Sequence, residues 1–202
     1  MKKLGVVLAL FIVINVSAQE KPWGVGLRMG SLNGITVKKY NNNSDLEFSI
    51  GTSYYNIYNN FHNNLWSEWL FENSLVYTDI EFLDYRGSAP VGAQFRMLFH
   101  KNLEKIGDEK VSGLKWYYGI GGQFVKQTHQ FSYRYKLTTK DWIYVVSDKS
   151  SEINFGIDGI IGLEYTFKEV PVSLFLDGNL FMEIFDDFQP WGQAGFGGRY
   201  RF

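Results

Sequence analysis

The sequence predicts an all-β protein, a transmembrane antiparallel up-and-down β-barrel of eight strands. Three observations lead there. Apolar or aromatic residues recur at every second position through most of the chain after Trp23, which is the period of a strand. Glycines such as Gly24, Gly26, Gly51, Gly119, Gly121, Gly156 and Gly162 share a face with long charged residues rather than with the apolar ones. The chain is 45% hydrophobic, yet its mean hydropathy is −0.18 and no apolar run approaches the roughly 18 residues of a membrane helix. That excludes a polytopic helical membrane protein and leaves strands, whose alternation averages out.

The 202 residues suit one domain, and 18% aromatic content argues against disorder. Lys plus Arg number 20 against 21 Asp plus Glu, so there is no basic footprint for nucleic acid. Zero cysteines remove disulfides, thiolate metal sites, thiol nucleophiles and the lipid-acceptor residue of a lipoprotein. Residues 1–18 read as a secretory signal peptide: Lys2 and Lys3 are basic, 4–16 is apolar apart from Gly5 and Asn15, and Val16-Ser17-Ala18 offers small residues for cleavage after Ala18. A membrane anchor is the weaker alternative, because the run is too short for about 30 Å of hydrocarbon. Residues 19–202 then form the barrel domain.

Strand one is 23–30, with Trp23, Val25, Leu27 and Met29 on one face and Gly24, Gly26, Arg28 and Gly30 on the other. Strand two, about 34–40, has the least clear phase. Asn41-Asn42-Asn43-Ser44 has the chemistry of a tight turn. Strand three sets Leu46, Phe48 and Ile50 against Glu47, Ser49 and Gly51. Strand four alternates Val91, Ala93, Phe95, Met97 and Phe99 with Gly92, Gln94, Arg96, Leu98 and His100. Beyond a charged turn at 102–113, strand five alternates Leu114, Trp116, Tyr118, Ile120 and Phe124 with Lys115, Tyr117, Gly119, Gly121 and Gln123. Strand six carries Ile153, Phe155, Ile157, Ile161, Leu163 and Tyr165 against Asn154, Gly156, Asp158, Gly162 and Glu164. Strand seven opposes Val172, Leu174, Leu176, Leu180 and Met182 to Ser173, Asp177, Asn179 and Glu183, and strand eight opposes Phe196, Tyr200 and Phe202 to Gly195, Gly197, Arg199 and Arg201.

Two stretches fall outside this count and read as long loops, 55–90 and 128–151. The first contains 65–70, which could form a short helix with an apolar face, and 75–83, which could pair locally. The second reads as a hairpin prolonging its flanking strands and turning near 138–140. If both crossed a membrane the barrel would have ten strands.

The glycines decide which face is inside. Beside long charged residues they suit a narrow polar lumen filled by packed side chains, whereas on the outside of a soluble barrel they would only weaken strands. The polar face collects Arg28, Arg96, Lys115, Arg199 and Arg201 against Glu47, Asp158, Glu164, Asp177 and Glu183, a near-balanced set expected to pair into a plug. Trp23, Trp116, Tyr118, Tyr165, Tyr200 and Phe202 lie toward strand ends, where an interfacial girdle belongs.

The terminal Phe196-Gly197-Gly198-Arg199-Tyr200-Arg201-Phe202 resembles the assembly signal of outer-membrane β-barrels, with Phe196, Tyr200 and the final Phe202 as its apolar positions. Together with the leader it is similar to the small OmpX-like and OmpA-like barrels of Gram-negative bacteria. Residues 26–30, 115–121 and 156–165 resemble a largely uncharacterised group of these. The resemblance implies location in the outer membrane, contact with its lipid and lipopolysaccharide, and insertion by the barrel assembly machinery. It implies no cofactor and a structural or surface-interaction role through the loops, with a small-solute pore as the alternative and a lipid-modifying enzyme as the second alternative. Such enzymes use Ser, His and an acid near the membrane surface. His62, near Ser67 and Glu68, and His129, three residues before Ser132, lack the compact His-x-Ser spacing of barrel deacylases, and His100 lies at a strand end. The three share no metal-ligand spacing. Asp186-Asp187 could bridge divalent cations to lipopolysaccharide but reads first as a solvated loop tip.

Overall fold

The computed structural model describes residues 22–53, 61–72, 79–103, 105–106, 109–136, 141–184 and 190–202. Their alternation is realised as antiparallel strands: β1 (Trp23–Gly30), β2 (Leu32–Lys39), β3 (Asp45–Ser53), β4 (Asp79–Gly87), β5 (Val91–Asn102), β6 (Lys105–Ile106), β7 (Glu109–Lys110), β8 (Leu114–Lys136), β9 (Trp142–Val146), β10 (Ser150–Thr166), β11 (Val172–Glu183) and β12 (Pro190–Arg201). One helix, α1 (Phe61–Glu72), lies between β3 and β4. Eight of the strands close into a ring in the order β1-β2-β3-β5-β8-β10-β11-β12, and β12 pairs back to β1 from Gly24↔Arg201 to Gly30↔Gly195. Trp23 and Phe202 lock the seam by exchanging backbone hydrogen bonds of 3.2 and 2.9 Å.

The ring is therefore eight-stranded, and the two stretches that would have made it ten do something else. β8 runs for 23 residues and outgrows the ring. β4 pairs with its projecting part from Asp79↔Lys136 to Gly87↔His129, and β9 pairs on its other side from Ser132↔Val146 to Lys136↔Trp142. The hairpin expected over 128–151 is present as β8, β9 and the start of β10, its turn at 138–140 falling outside the described residues. The pairing expected for 75–83 is not local. Asp79–Gly87 joins a strand some fifty positions onward because β4 simply continues the track of β5 along β8 after a break at 88–90.

Side chains at odd positions of β8 line the lumen, and the same face carries on up the projecting sheet. There α1 covers it, as the apolar face expected for 65–70 requires: Trp66, Trp69 and Leu70 recur at helical spacing and pack on Phe131, Tyr133, Tyr85 and Ile80. Trp66 and Trp69 stack with ring centroids 5.5 Å apart, and Phe131 lies edge-on to Trp66 at 5.4 Å. The molecule has two ends. At one lie Trp23, Phe202 and the turns after β2, β5 and β10; at the other lie the projecting sheet, α1 and the β1–β2 connection, where Gly30 adopts φ 124° and its N–H is accepted by Asn33 Oδ1 at 2.8 Å. We expect Trp69→Ala to remove about 3 to 5 kcal/mol of local packing and to make the β3–β4 connection protease-sensitive while leaving barrel closure unchanged, as limited proteolysis beside a gel assay for folded barrel will measure.

Candidate functional site

The interior holds charge where most proteins hold a core. Arg28, Lys38, Arg96, Arg199, Asp45 and Glu47 are each 1% exposed, whereas Leu27, Ile120, Ile161, Leu176 and Phe196 on the outer face are all more than half exposed. Strand alternation alone sorts them, because a lumen residue is always two positions from the next.

Arg28 of β1 donates to both carboxylate oxygens of Asp177 on β11, at 2.7 and 2.5 Å, a bidentate fork. Arg96 reaches the same carboxylate at 3.4 Å, Tyr117 Oη donates to it at 3.1 Å, and Asn179 accepts from Arg96 while donating to Asp158 Oδ1 at 3.0 Å. One layer nearer the termini, Arg199 donates to Glu47 at 2.5 Å, lies 3.6 Å from Glu164 and stacks 3.7 Å above the Phe175 ring. Glu164 also accepts from Lys38 at 2.6 Å and from Tyr40 Oη at 2.5 Å; Lys38 is shared with Asp45 at 3.1 Å, and Asp45 meets His100 at 3.2 Å. These contacts link β1, β2, β3, β5, β8, β10, β11 and β12 across the lumen.

The glycines make the room. A Cβ on Gly195 would strike the Arg28 guanidinium, one on Gly197 the Phe175 ring, one on Gly162 the Tyr117 ring and one on Gly156 the Phe181 ring. Each long side chain thus lies over a residue that has none.

Of the charges expected in the lumen, Arg28, Glu47, Arg96, Asp158, Glu164, Asp177 and Arg199 meet in this network. Arg201 sits at the rim over the Tyr40 ring at 4.1 Å, Glu183 is buried at the opposite end of the lumen, and Lys115, half-buried, forms no ion pair among the described residues. Lys38, Asp45, Tyr40, Tyr117 and Asn179 belong to the network and were not picked out. Lys38 was hidden by adjacent Lys39, which blurs the phase of β2; the signal available was that Gly34, Thr36 and Lys38 share one parity. Asp45 looked like the end of a turn. An apolar patch also sits among the charges: Leu98 and Tyr117, which the period-two reading put on this face, are joined by Ile160, which it did not name there.

His129 and Ser132 have opposite parity on β8 and face opposite sides of the sheet, so they make no catalytic pair. The side chains of His62 and Glu68 and the whole of Asp186 and Asp187 lie outside the described residues. His129 is buried beside Phe131 at 5.2 Å under α1. Burial pushes its pKa below the ordinary 6.5, opposed by Glu72 at the end of α1.

A closed eight-stranded barrel with charge inside and hydrocarbon outside is the class of protein that this geometry defines. Comparison with protein-family models and with curated proteins gives no match for the sequence. Among solved structures the chain is similar to Ail, the attachment invasion locus protein of Yersinia pestis, at 11% identity and a TM-score of 0.42 over 89% of this chain and 93% of that one. No residue's role passes from that protein to this one.

Two outcomes are expected from the site. Arg28→Ala leaves Asp177 buried without its fork and should cost about 3 to 5 kcal/mol of unfolding free energy, whereas Glu81→Ala, which breaks the exposed Arg134–Glu81 pair, should cost under about 1 kcal/mol; Arg28→Met with Asp177→Leu should recover much of the first loss. Urea unfolding in detergent micelles measures all three. Because the folded state holds His129 below its unfolded pKa, the unfolded segment binds the proton more readily. Cap stability should be full above pH 6.5 and fall as pH drops through that value toward the depressed one. Tryptophan fluorescence against pH should show this, and His129→Phe should flatten it.

Proposed function

We propose that the protein is an integral outer-membrane β-barrel without enzymatic activity, closed to solute flow, whose projecting sheet and α1 act at the cell surface. The observation that carries the reading is the inversion of burial: apolar side chains cover the outside of the ring while paired charges fill it. In water that arrangement exposes a continuous hydrocarbon belt; in a bilayer it is the stable one, since closure also leaves no unpaired strand edge in lipid. No described helix is long and apolar enough to cross a membrane, so crossing would be by strands.

The end bearing Trp23 and Phe202 fits the periplasmic face. It carries aromatic rings with lysines over them, Lys39 5.6 Å above Trp23 and Lys101 6.0 Å above Trp116, which suits a layer of phosphate headgroups. Short turns there and the long extension opposite follow the usual asymmetry of outer-membrane barrels. Export would depend on residues 1–18 with cleavage after Ala18, insertion on the barrel assembly machinery reading Phe196, Tyr200 and Phe202, and the outer face would rest on lipid and lipopolysaccharide. Phe196 is 54% exposed, which suits recognition from outside the barrel. The charge network, crossing the lumen without a gap, speaks for a plug rather than a channel lining.

The protein should fractionate with the outer membrane and migrate faster on a gel unheated than boiled; recovery from the periplasm with a single mobility would overturn the assignment. Removing Phe202 should cut assembly in cells far more than refolding into detergent. Planar-bilayer recordings should show no long-lived conductance, and selective conductance that inverts when Asp177 or Glu164 is changed would establish a pore instead.

A further inference from the structure

A cavity of about 620 Å³ opens at the end of the molecule that carries α1. Its floor is apolar, built from Trp69 of α1, Tyr133 of β8 and Val145 of β9, all members of the cluster beneath the helix. Its rim is charged. Glu72, Asp148 and Lys149 line the same cavity, yet among the described residues none of the three side chains forms an ion pair or a hydrogen bond.

Two features set these charges where they are. β9 and β10 follow one another along β8 with an interruption: Val146 pairs with Ser132 and Ser150 with His129, so Ser147, Asp148 and Lys149 stand opposite only Gln130 and Phe131. The extra residue makes a bulge, the device by which a strand re-aims a side chain. It is fastened at the buried Ser147, whose N–H is accepted by the Phe131 carbonyl at 2.8 Å and whose carbonyl accepts from Gln130 Nε2 at 2.8 Å. Ser147 Oγ accepts from the Phe131 N–H and donates to the Asp148 carbonyl, both at 2.9 Å. Asp148 and Lys149 are thus exposed side chains on an anchored backbone. The second feature is Glu72, the last residue of α1, where the helix end is itself negative and no basic residue of the last turn offsets it. A carboxylate at that end deepens the negative potential and attracts a cation.

Unlike charges that line one cavity without meeting suit a ligand that carries both signs. A simple anion is repelled by two carboxylates, and a simple cation by Lys149. A neutral apolar molecule would displace water from all three charges and replace none of its hydrogen bonds. A zwitterion with an apolar body matches rim and floor together. No three carboxylate or imidazole groups converge among the described residues as a metal ion would need.

We infer that this cavity binds a small peptide-type zwitterion, an amino acid or dipeptide with a free ammonium, a free carboxylate and an apolar side chain. The ammonium N–H groups donate to the carboxylates of Glu72 and Asp148, Lys149 Nζ donates to the ligand carboxylate, and the apolar side chain rests on Val145, Trp69 and Tyr133. That the cavity faces the medium rests on the orientation proposed above, which fails separately, by fractionation; binding is measured in micelles whatever the orientation.

The test titrates the 15N-labelled barrel in detergent micelles with leucine and with leucylleucine. At least one of them should shift the backbone amides of Ser147, Lys149 and Ser150 and the Trp69 indole saturably, with a Kd in roughly the millimolar range. Acetylating the ligand's ammonium or amidating its carboxylate should each weaken binding at least about fivefold. Lys149→Gln should weaken the zwitterion about threefold and leave its amide unaffected; Glu72→Gln should weaken the zwitterion about threefold and leave its N-acetyl form unaffected. Both residues are exposed, so the variants keep the heat-modifiable barrel, and Glu81→Gln, at the Arg134 pair away from the cavity, should change nothing. No saturable shift with either ligand, equal binding of a blocked form, or binding indifferent to both Lys149→Gln and Glu72→Gln would overturn the proposal. Tighter binding of the amide than of the zwitterion would overturn it too, in favour of a cation site.

Discussion

The fork between Arg28 and Asp177 sets the terms for the rest of the molecule. A carboxylate and a guanidinium taken wholly out of solvent are each costly, and their attraction repays that cost only if the remaining lone pairs and N–H groups are also engaged. Asp177 is engaged further by Arg96 and Tyr117, Arg96 also reaches Glu47 and Asn179, and Glu47 accepts from Arg199. Satisfying one pair therefore recruits the next, until the interior is a single lattice of charge and the eight strands are held at the spacing it dictates. Hydrophobic burial, the usual source of stability, is turned outward, and within the ring it survives as the patch of Leu98, Tyr117 and Ile160 and as the buried Leu32, Val125, Phe175 and Phe181.

That lattice also separates two kinds of interior. Toward Trp23 and Phe202 each carboxylate of the network has at least one cationic partner. Toward α1 the lining includes the hydrogen-bonded amides of Gln94 and Gln123, and above the ring it becomes aromatic rings stacked under a helix. Rigidity, polarity and then hydrophobicity follow one another along the same face of one strand, β8.

Much of this was legible in the sequence. The ring strands, their outward faces and seven of the lumen charges follow from period two and from glycines sharing a face with arginines, because parity is a local property that neighbours cannot alter. The helix over 65–70 was legible for the same reason, its tryptophans being three apart. What period two could not supply was partnership. Nothing local in 79–87 says that it extends β5 along β8, since that depends on β8 overrunning the ring. Lys38 was lost behind Lys39, Asp45 behind its turn, and Ile160 because one apolar residue on a polar face carries no signal of the Tyr117 and Leu98 that receive it. The balance of charge was visible, but which charges share a row required the register, which aligns Glu47, Arg96 and Asp158 through Gly121.

The partners in the lattice are also far apart in time. Arg28 is joined to Asp177 149 positions later, Lys38 to Glu164 126 later, and Glu47 to Arg199 152 later. The three opening strands carry charges whose counterparts arrive only with the last three, so a half-built sheet offers them nothing but water or one another. Such long-range closure is slow for any chain, and here a partial product would carry naked ions on the face that must turn away from solvent. Curling the sheet shut and neutralising its interior become one event, which cannot be completed until β12 has been made.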